Sequence, residues 1–451
     1  MPIDPSSGQQ VVDASLAHRM RQVSREIFSH ALQQCNIDRA FDRHMSYERG
    51  ILRVGDDLYD LSSFSRIVVI SIGKAGNTAV EALMHRLGGG VGATGIVSAP
   101  TSPEAQVFGF RYFKGGHPLP NLESLRSAES ILRSLESLSS RSLVIFLISG
   151  GGSSLVEKPA FDSISLEDLV ATYRALVHSG APIAEINAIR KHLSAVKGGR
   201  LALAASPAHQ LSILISDVPE NAMDSLASGP TMPDTSTVEQ CYRIVEKYKL
   251  LPEFPPSVRE IFKGRLLEET AKSDDGAFVK SRYWTVLSNL SAQHAAVEKA
   301  AMSGFAIEID NSVDDKDYKV AADHLLKRLR ELRKGVSSVC LISGGEVTVN
   351  VKGKSGVGGR NQQFALYCAE KIAGENIAVL SAGTDGIDGN SPAAGAIVDG
   401  TTMERALAKN LSPTDALQQF DAHPLFTALG DDVTTGPTGN NLRDLRILLA
   451  Y

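Results

Sequence analysis

The sequence Cys340-Leu-Ile-Ser-Gly-Gly-Glu-Val-Thr-Val349 is followed nine residues later by Gly358-Gly359-Arg360-Asn361-Gln362-Gln363-Phe364. An apolar run that breaks at Ser343-Gly344-Gly345 reads as a buried strand ending in a tight turn, and the second glycine pair then opens a helix on an arginine. Glycines let a backbone approach an anion closely, and a guanidinium at a helix start adds a fork of donors to the first-turn N–H groups. An ordinary turn with a surface arginine is the other reading of the same residues. A stronger anion cradle is Ser149-Gly150-Gly151-Gly152-Ser153-Ser154, three glycines and three hydroxyls at the end of the buried run 142–148.

Other candidate groups are scattered along the chain. Lys74 sits in Gly73-Lys-Ala-Gly76, between the β-branched run 66–72 and a helical pattern from Asn77, and is either a solvated turn residue or an ammonium aimed into a cleft. His117 lies in the Gly/Pro-shaped loop Gly115-Gly-His-Pro-Leu-Pro-Asn121, where it either contacts ligand or only hydrogen-bonds the loop. Between 185 and 201 one helix is expected to turn Ile186, Ile189, Leu193 and Val196 inward and to leave Asn187, Arg190, Lys191 and Ser194 on a basic, solvated stripe. Asp217, after the run 211–215, is placed to hold Mg²⁺ or a substrate hydroxyl, or to cap the next helix. Asp385 and Asp388, between glycines, offer oxygen to a hard cation without EF-hand spacing.

Two familiar nucleotide signatures are excluded. Gly90-Val-Gly-Ala-Thr-Gly95 has the letters of a dinucleotide fingerprint but follows a helix and enters a strand, the reverse of the required context. The nearest approach to a Walker A loop, Gly353-Lys354-Ser355, has Thr348 where the first glycine belongs.

The elements that carry these residues are strands alternating with helices. Run 66–72 reads as a central parallel strand buried on both faces, 142–148 as a second buried strand, and 95–98 and 211–215 as further strands; the echo Leu-Ile-Ser-Gly-Gly at 147–151 and 341–345 points to two α/β domains facing each other across a cleft. Charged, poorly periodic text from about 265 to 282 places the boundary so that the domains are 1–275 and 276–451, with the strand 284–287 opening the second. The chain has 451 residues, 43% apolar and 22% charged, and a net charge of −5 that argues against a general nucleic-acid grip. Four dispersed cysteines and no long apolar run predict a reducing compartment without membrane insertion. The start lacks a secretory core, and six arginines in the first 50 residues leave a weak mitochondrial alternative to the cytoplasm.

Taken in order, these motifs resemble the glycerate kinases whose carboxyl-terminal half is the MOFRL domain. Ser71-Ile-Gly-Lys-Ala-Gly76, Gly115-Gly-His-Pro-Leu-Pro-Asn121, Leu147-Ile-Ser-Gly-Gly-Gly-Ser-Ser154 and Asn187-Ala-Ile-Arg-Lys-His-Leu-Ser194 carry the resemblance, with Ser216-Asp-Val218 and Gly229-Pro-Thr231. Gly358-Gly-Arg-Asn-Gln362, Ala382-Gly-Thr-Asp-Gly-Ile-Asp-Gly389 and Thr435-Gly-Pro-Thr-Gly-Asn-Asn441 extend it towards the end of the chain. It implies two Rossmann-like α/β domains with an interdomain active-site cleft, ATP and Mg²⁺ as cofactors, D-glycerate as substrate, and 2-phosphoglycerate ahead of 3-phosphoglycerate as product. Apart from the resemblance, a monomer or homodimer is expected. The family's functional lysine and arginine fall on Lys74 and Arg360.

On that reading Lys74 neutralises the transferring phosphoryl and Arg360 clamps it or the substrate carboxylate. Residues 149–154, Arg190, Gly358 and Gly359 hold phosphate; His117 and Asn187 meet substrate; Asp217, with Asp385 or Asp388 as second choices, binds Mg²⁺ or takes the hydroxyl proton. Two rivals stand beside it: a nicotinamide-dependent hydroxypyruvate or 2-hydroxyacid reductase, and a non-catalytic sensor of a phosphorylated metabolite.

Overall fold

The computed structural model describes residues 13–351, 353 and 356–451, so the reading of the chain's start and that of Lys354 and Ser355 lie outside it. The chain forms two compact units: Ile37–Ser288, and a second that joins the chain before Ile37 to Asn289–Tyr451.

In the first unit a three-stranded antiparallel sheet, β1 (Met45–Glu48), β2 (Ile51–Val54) and β3 (Asp57–Asp60), precedes the main sheet. The main sheet contains β4 (Arg66–Ile72), β5 (Ala93–Ala99), β6 (Phe110–Lys114), β7 (Ser142–Ser149), β8 (His209–Ile215) and β9 (Ser281–Leu287), all parallel, in the order β6-β5-β4-β7-β8-β9. The uninterrupted apolar text of β4 and β7 is explained by burial on both faces. Val68, Ile70, Ile72, Val144, Phe146 and Ile148 share a core with Ile131 and Leu135 of the helix Leu122–Glu136, while the helix Gly76–Leu87 packs on β4, β5 and β7. From β4 the chain builds outward through β5 and β6, and from β7 in the opposite direction through β8 and β9. The order therefore reverses between β4 and β7, and the carboxyl ends of those two strands frame the crevice in which open parallel sheets bind ligands.

The second unit sandwiches one sheet between helices. Its strands are β10 (Ala306–Ile309), β11 (Val339–Gly345), β12 (Ile377–Gly383), β13 (Gly395–Asp399), β14 (Asp432–Val433) and β15 (Asp444–Ala450), ordered β10-β11-β15-β12-β13-β14. Only β10 and β11 run parallel; the remaining neighbours are antiparallel. Alternation is strict: Cys340, Ile342, Ala378, Leu380, Ile447 and Leu449 meet Ile27 and Phe28 of the helix Ala14–Gln34, whereas Leu341, Val379 and Leu448 meet Leu325 of Tyr318–Arg333 and Phe364 of Arg360–Lys371. Among the described residues no helix is long and apolar enough to cross a membrane.

Two expectations are corrected. The strand containing Trp284 does not open the second domain: β9 is the edge of the first sheet, paired with β8, and Trp284 Nε1 donates to Asp57 Oδ2 at 2.7 Å. The charged text before it belongs to an exposed crossover between parallel strands, which has the same polarity as a linker. At the other end, the helix Ala14–Gln34 packs in the carboxyl-terminal unit, so a division at 275/276 separates residues that share a core.

Trp284 is the only tryptophan in the chain. A fragment spanning 37–288 should therefore fold cooperatively with a fluorescence transition from the half-buried indole, and one ending at 275 should lose the edge strand and melt lower or aggregate. Equal melting by circular dichroism would refute this division.

Candidate active site

At the reversal point the turns after β4 and β7 are tied together. Lys74 N donates to Gly150 O at 2.8 Å, and Ala75 N donates to Ser149 Oγ at 3.0 Å. Gly150 admits a carboxylate: a Cβ there would lie 1.9 Å from Asp217 Oδ2, carried in by the end of β8. Gly151, at φ +79°, admits two more groups, since its Cβ would be 3.1 Å from both Lys74 Cγ and His117 Cδ2. Lys74, His117, Asp217 and the glycine loop thus converge. Among the described residues the N–H groups of Gly150, Gly151 and Gly152 donate to no other group, and Lys74 has no ion pair. The result is a cluster of donors with an exposed ammonium at its edge. Partial burial, reinforced by the Lys74 charge, holds the His117 imidazole below its ordinary value and so favours its neutral form.

The serines do not add the donors expected of them. Ser149 Oγ is engaged with the Lys74 turn, Ser153 Oγ lies 2.8 Å from Ser228 Oγ, and Ser154 Oγ donates to Gly151 O. These hydroxyls hold the loop in shape and leave anion contact to its backbone.

In the second unit the glycine turns are already satisfied. Gly344 N donates to Asn311 Oδ1, Gly345 N to Asn289 Oδ1 and Glu346 N to Asp314 Oδ1. Gly358 N is taken by Asn390 Oδ1, and a Cβ at Gly359 would overlap Asp388. The helix Arg360–Lys371 has an anion at its start, and that anion is Asp388, whose two oxygens accept from Asn361 N at 3.0 Å and Gln362 N at 2.8 Å. Burial raises the Asp388 carboxyl to about 6 against these hydrogen bonds. Asp388 is therefore a helix cap, Gly359 is a position of close approach, and the 344–346 turn is not open to phosphate. Asp385 Oδ1 accepts from Ile387 N.

Arg360 lines a cavity of about 550 Å³ with Glu346, Thr348, Asp385 and Asp388. Its Nε and Nη2 grip Asp444 at 2.6 and 3.1 Å, and Nη2 also meets Glu346 at 2.8 Å. Two of the three guanidinium nitrogens expected to meet a ligand are spent on these carboxylates, leaving Nη1 without a partner among the described residues. Burial raises the Glu346 carboxyl although Arg360 opposes the shift.

The basic stripe is also redrawn. The helix Ile183–His192 stops nine residues short of 201, and Lys191 is buried between Asp224 at 3.0 Å and Asp234 at 2.9 Å. Arg190 stacks 5.0 Å from the Tyr173 ring, beside a buried set in which Tyr173, Ser194 and Lys197 all bond Glu157. Asn187 lines a separate cavity described below. None of the buried carboxylates Glu157, Asp234 and Asp444 stands out in the sequence, because each takes its meaning from a cation distant along the chain.

The model of a domain of unknown function, DUF4147, matches residues 23–263, and that of the MOFRL family matches 339–444. A D-glycerate 2-kinase of Thermotoga maritima is 35% identical over 395 residues, spanning 85% of this chain and 91% of that protein. The chain belongs to the MOFRL-type glycerate kinase family. The crystal structure of a glycerate kinase from Thermotoga maritima superposes with a TM-score of 0.83 at 32% identity, covering 96% of this chain and all of that one. A protein of Agrobacterium vitis named a putative hydroxypyruvate reductase is also 35% identical, over 85% of this chain and 99% of its own length.

Two measurements probe this glycerate kinase family member at the β4/β7 crevice. Gly150→Ala must displace the Asp217 carboxylate and should lower kcat at least about tenfold while leaving the circular dichroism spectrum unchanged. In Lys74→Met the His117 titration, followed by NMR, should rise towards the ordinary histidine value of about 6.5; an unmoved titration would mean that the two groups do not sense each other. Because the folded value lies below the unfolded one, His117 contributes stability above the unfolded value, and that contribution is lost as pH falls through about 6.5 to the folded value.

Proposed function

We propose that the protein transfers the γ-phosphoryl group of ATP to D-glycerate, at its 2-hydroxyl. The observation that carries this reading is the crevice at the β4/β7 reversal, where glycine amides and a lysine without partners among the described residues meet a histidine held towards its neutral form at Gly151. Phosphoryl transfer spreads negative charge over equatorial oxygens and needs positioning and neutralisation more than covalent chemistry. The amides of Gly150–152 bind phosphate oxygens, and Lys74 neutralises the charge that develops as the phosphoryl moves. His117 Nε2, the end of the imidazole nearer Gly151, accepts the proton of the attacking hydroxyl. Arg360 offers an anionic ligand of its own cavity a second cation, through Nη1 or by exchange of Glu346.

The described residues contain no group of three or more His, Cys, Asp or Glu able to hold a metal. A carboxylate beside a phosphate loop suits Mg²⁺, which keeps waters and binds largely through substrate phosphates, and Asp217 would be its protein ligand. Bound there, the ion would offset phosphate charge.

The reductase reading lacks its first requirement: the turn after β4 carries Gly73-Lys-Ala-Gly76, and the Gly90–Gly95 text leads into β5 instead of a helix. The decisive assay mixes the protein with ATP, Mg²⁺ and D-glycerate and follows ³¹P NMR, where 2-phosphoglycerate should accumulate and excess chelator should stop it. Lys74→Met should lower kcat at least about 100-fold with folding intact. Wild-type turnover in that variant would remove Lys74 from the mechanism, and NADH oxidation with hydroxypyruvate in place of ATP consumption would return the reductase.

A further inference from the structure

The first unit contains a second cavity, of about 510 Å³, between the helices Ile183–His192 and Val238–Lys247 and the short-helical segment Glu220–Ser228. Neither Lys74, His117 nor the 150–154 loop lines it. Its size is in the range that encloses a ligand of nucleoside size and exceeds the needs of a three-carbon acid. Ala184, Ala188, Ala222 and Ile244 give it small, flat apolar surfaces.

Two polar groups face this lining with unused capacity. The Asn187 amide has no hydrogen-bond partner among the described residues, so it offers one donor and one acceptor side by side. Asp224 gives Oδ2 to Lys191 and keeps Oδ1 without a partner. An amide that donates and accepts matches the amine and adjacent ring nitrogen of adenine, and a fixed carboxylate oxygen matches a ribose hydroxyl.

The wall of this cavity also reaches the phosphate loop. Asn221, Ala222 and Asp224 line the cavity, while further along the same segment Ala227 lies where a Gly152 Cβ would sit, 2.7 Å away, and Ser228 bonds Ser153. Lys191 anchors the segment through Asp224 and ties it to Asp234. One segment thus separates the cavity from the cradle by a few residues.

We propose that this cavity binds the adenosine part of ATP, with Asn187 reading the base and Asp224 holding the ribose, a placement that rests on the kinase reading and reassigns Asn187 from glycerate to nucleotide. Asn187→Asp, nearly isosteric but with two acceptors, should weaken ATP and favour GTP, whose base edge presents two donors; the ratio of kcat/KM values should shift about tenfold or more towards GTP. Ala184→Phe, at an exposed helix position facing the cavity, should weaken binding of the non-hydrolysable analogue AMP-PNP about tenfold by calorimetry. Both variants should keep KM for D-glycerate within twofold and the wild-type thermal melt. Unchanged nucleotide affinity and preference in both variants, with AMP-PNP binding in the wild type, would overturn this site and leave the kinase standing. Failure of the wild type either to bind AMP-PNP or to consume ATP would overturn the kinase reading and the site with it.

Discussion

The arrangement depends on two strand ends being held at contact distance. Parallel pairing sets Ile72 beside Ile148, so the chain leaves β4 and β7 at the same level, and the bond from Lys74 N to Gly150 O locks the two turns against each other. Such closeness is possible only without side chains: a Cβ at Gly73 would lie 2.1 Å from Ser149 Oγ, and one at Gly150 would meet the Asp217 carboxylate. The glycines leave room for the functional groups, and the strand register brings those groups together. Because the strand order reverses at this place, no crossover covers the gap above the turns.

The repeated text Leu-Ile-Ser-Gly-Gly shows how far local sequence goes. In both units it forms the end of a buried strand, as the β-branched and apolar run requires. Its chemistry then diverges. After β7 the glycine amides remain unengaged, whereas after β11 they are taken by Asn311, Asn289 and Asp314, residues 30 to 60 positions away that no local pattern connects to the turn. The second glycine pair has the same history, since Asp388 satisfies the helix start that the sequence offers to an external anion.

Legibility therefore follows the range of the interaction. The strands 66–72, 142–148 and 211–215 were readable because burial imposes a local pattern. Lys74, His117 and Asp217 were readable as strand-end or loop residues, and their convergence follows from the strand order. The interior ion pairs were not: Lys191 looks solvated on a helical wheel until Asp224 and Asp234 close over it. The edge strand β9 was misplaced for the related reason that its exposed Tyr283 and the charged crossover before it have the composition of a linker.

The helix Ala14–Gln34 precedes the first unit in the chain, yet it covers the second unit's sheet and reaches it by Arg21 to Asp399 and Arg25 to the Asp432 carbonyl. On the ribosome this helix emerges with its apolar stripe and waits more than 250 residues for the strands that bury it. The first unit, uninterrupted from Ile37 to Ser288, can fold meanwhile. Biosynthesis thus holds back the Arg360 half until β15 threads between β11 and β12. A truncated chain released before that point would carry a finished glycine cradle and an exposed hydrophobic helix, a species suited to chaperone capture and unable to complete the enzyme.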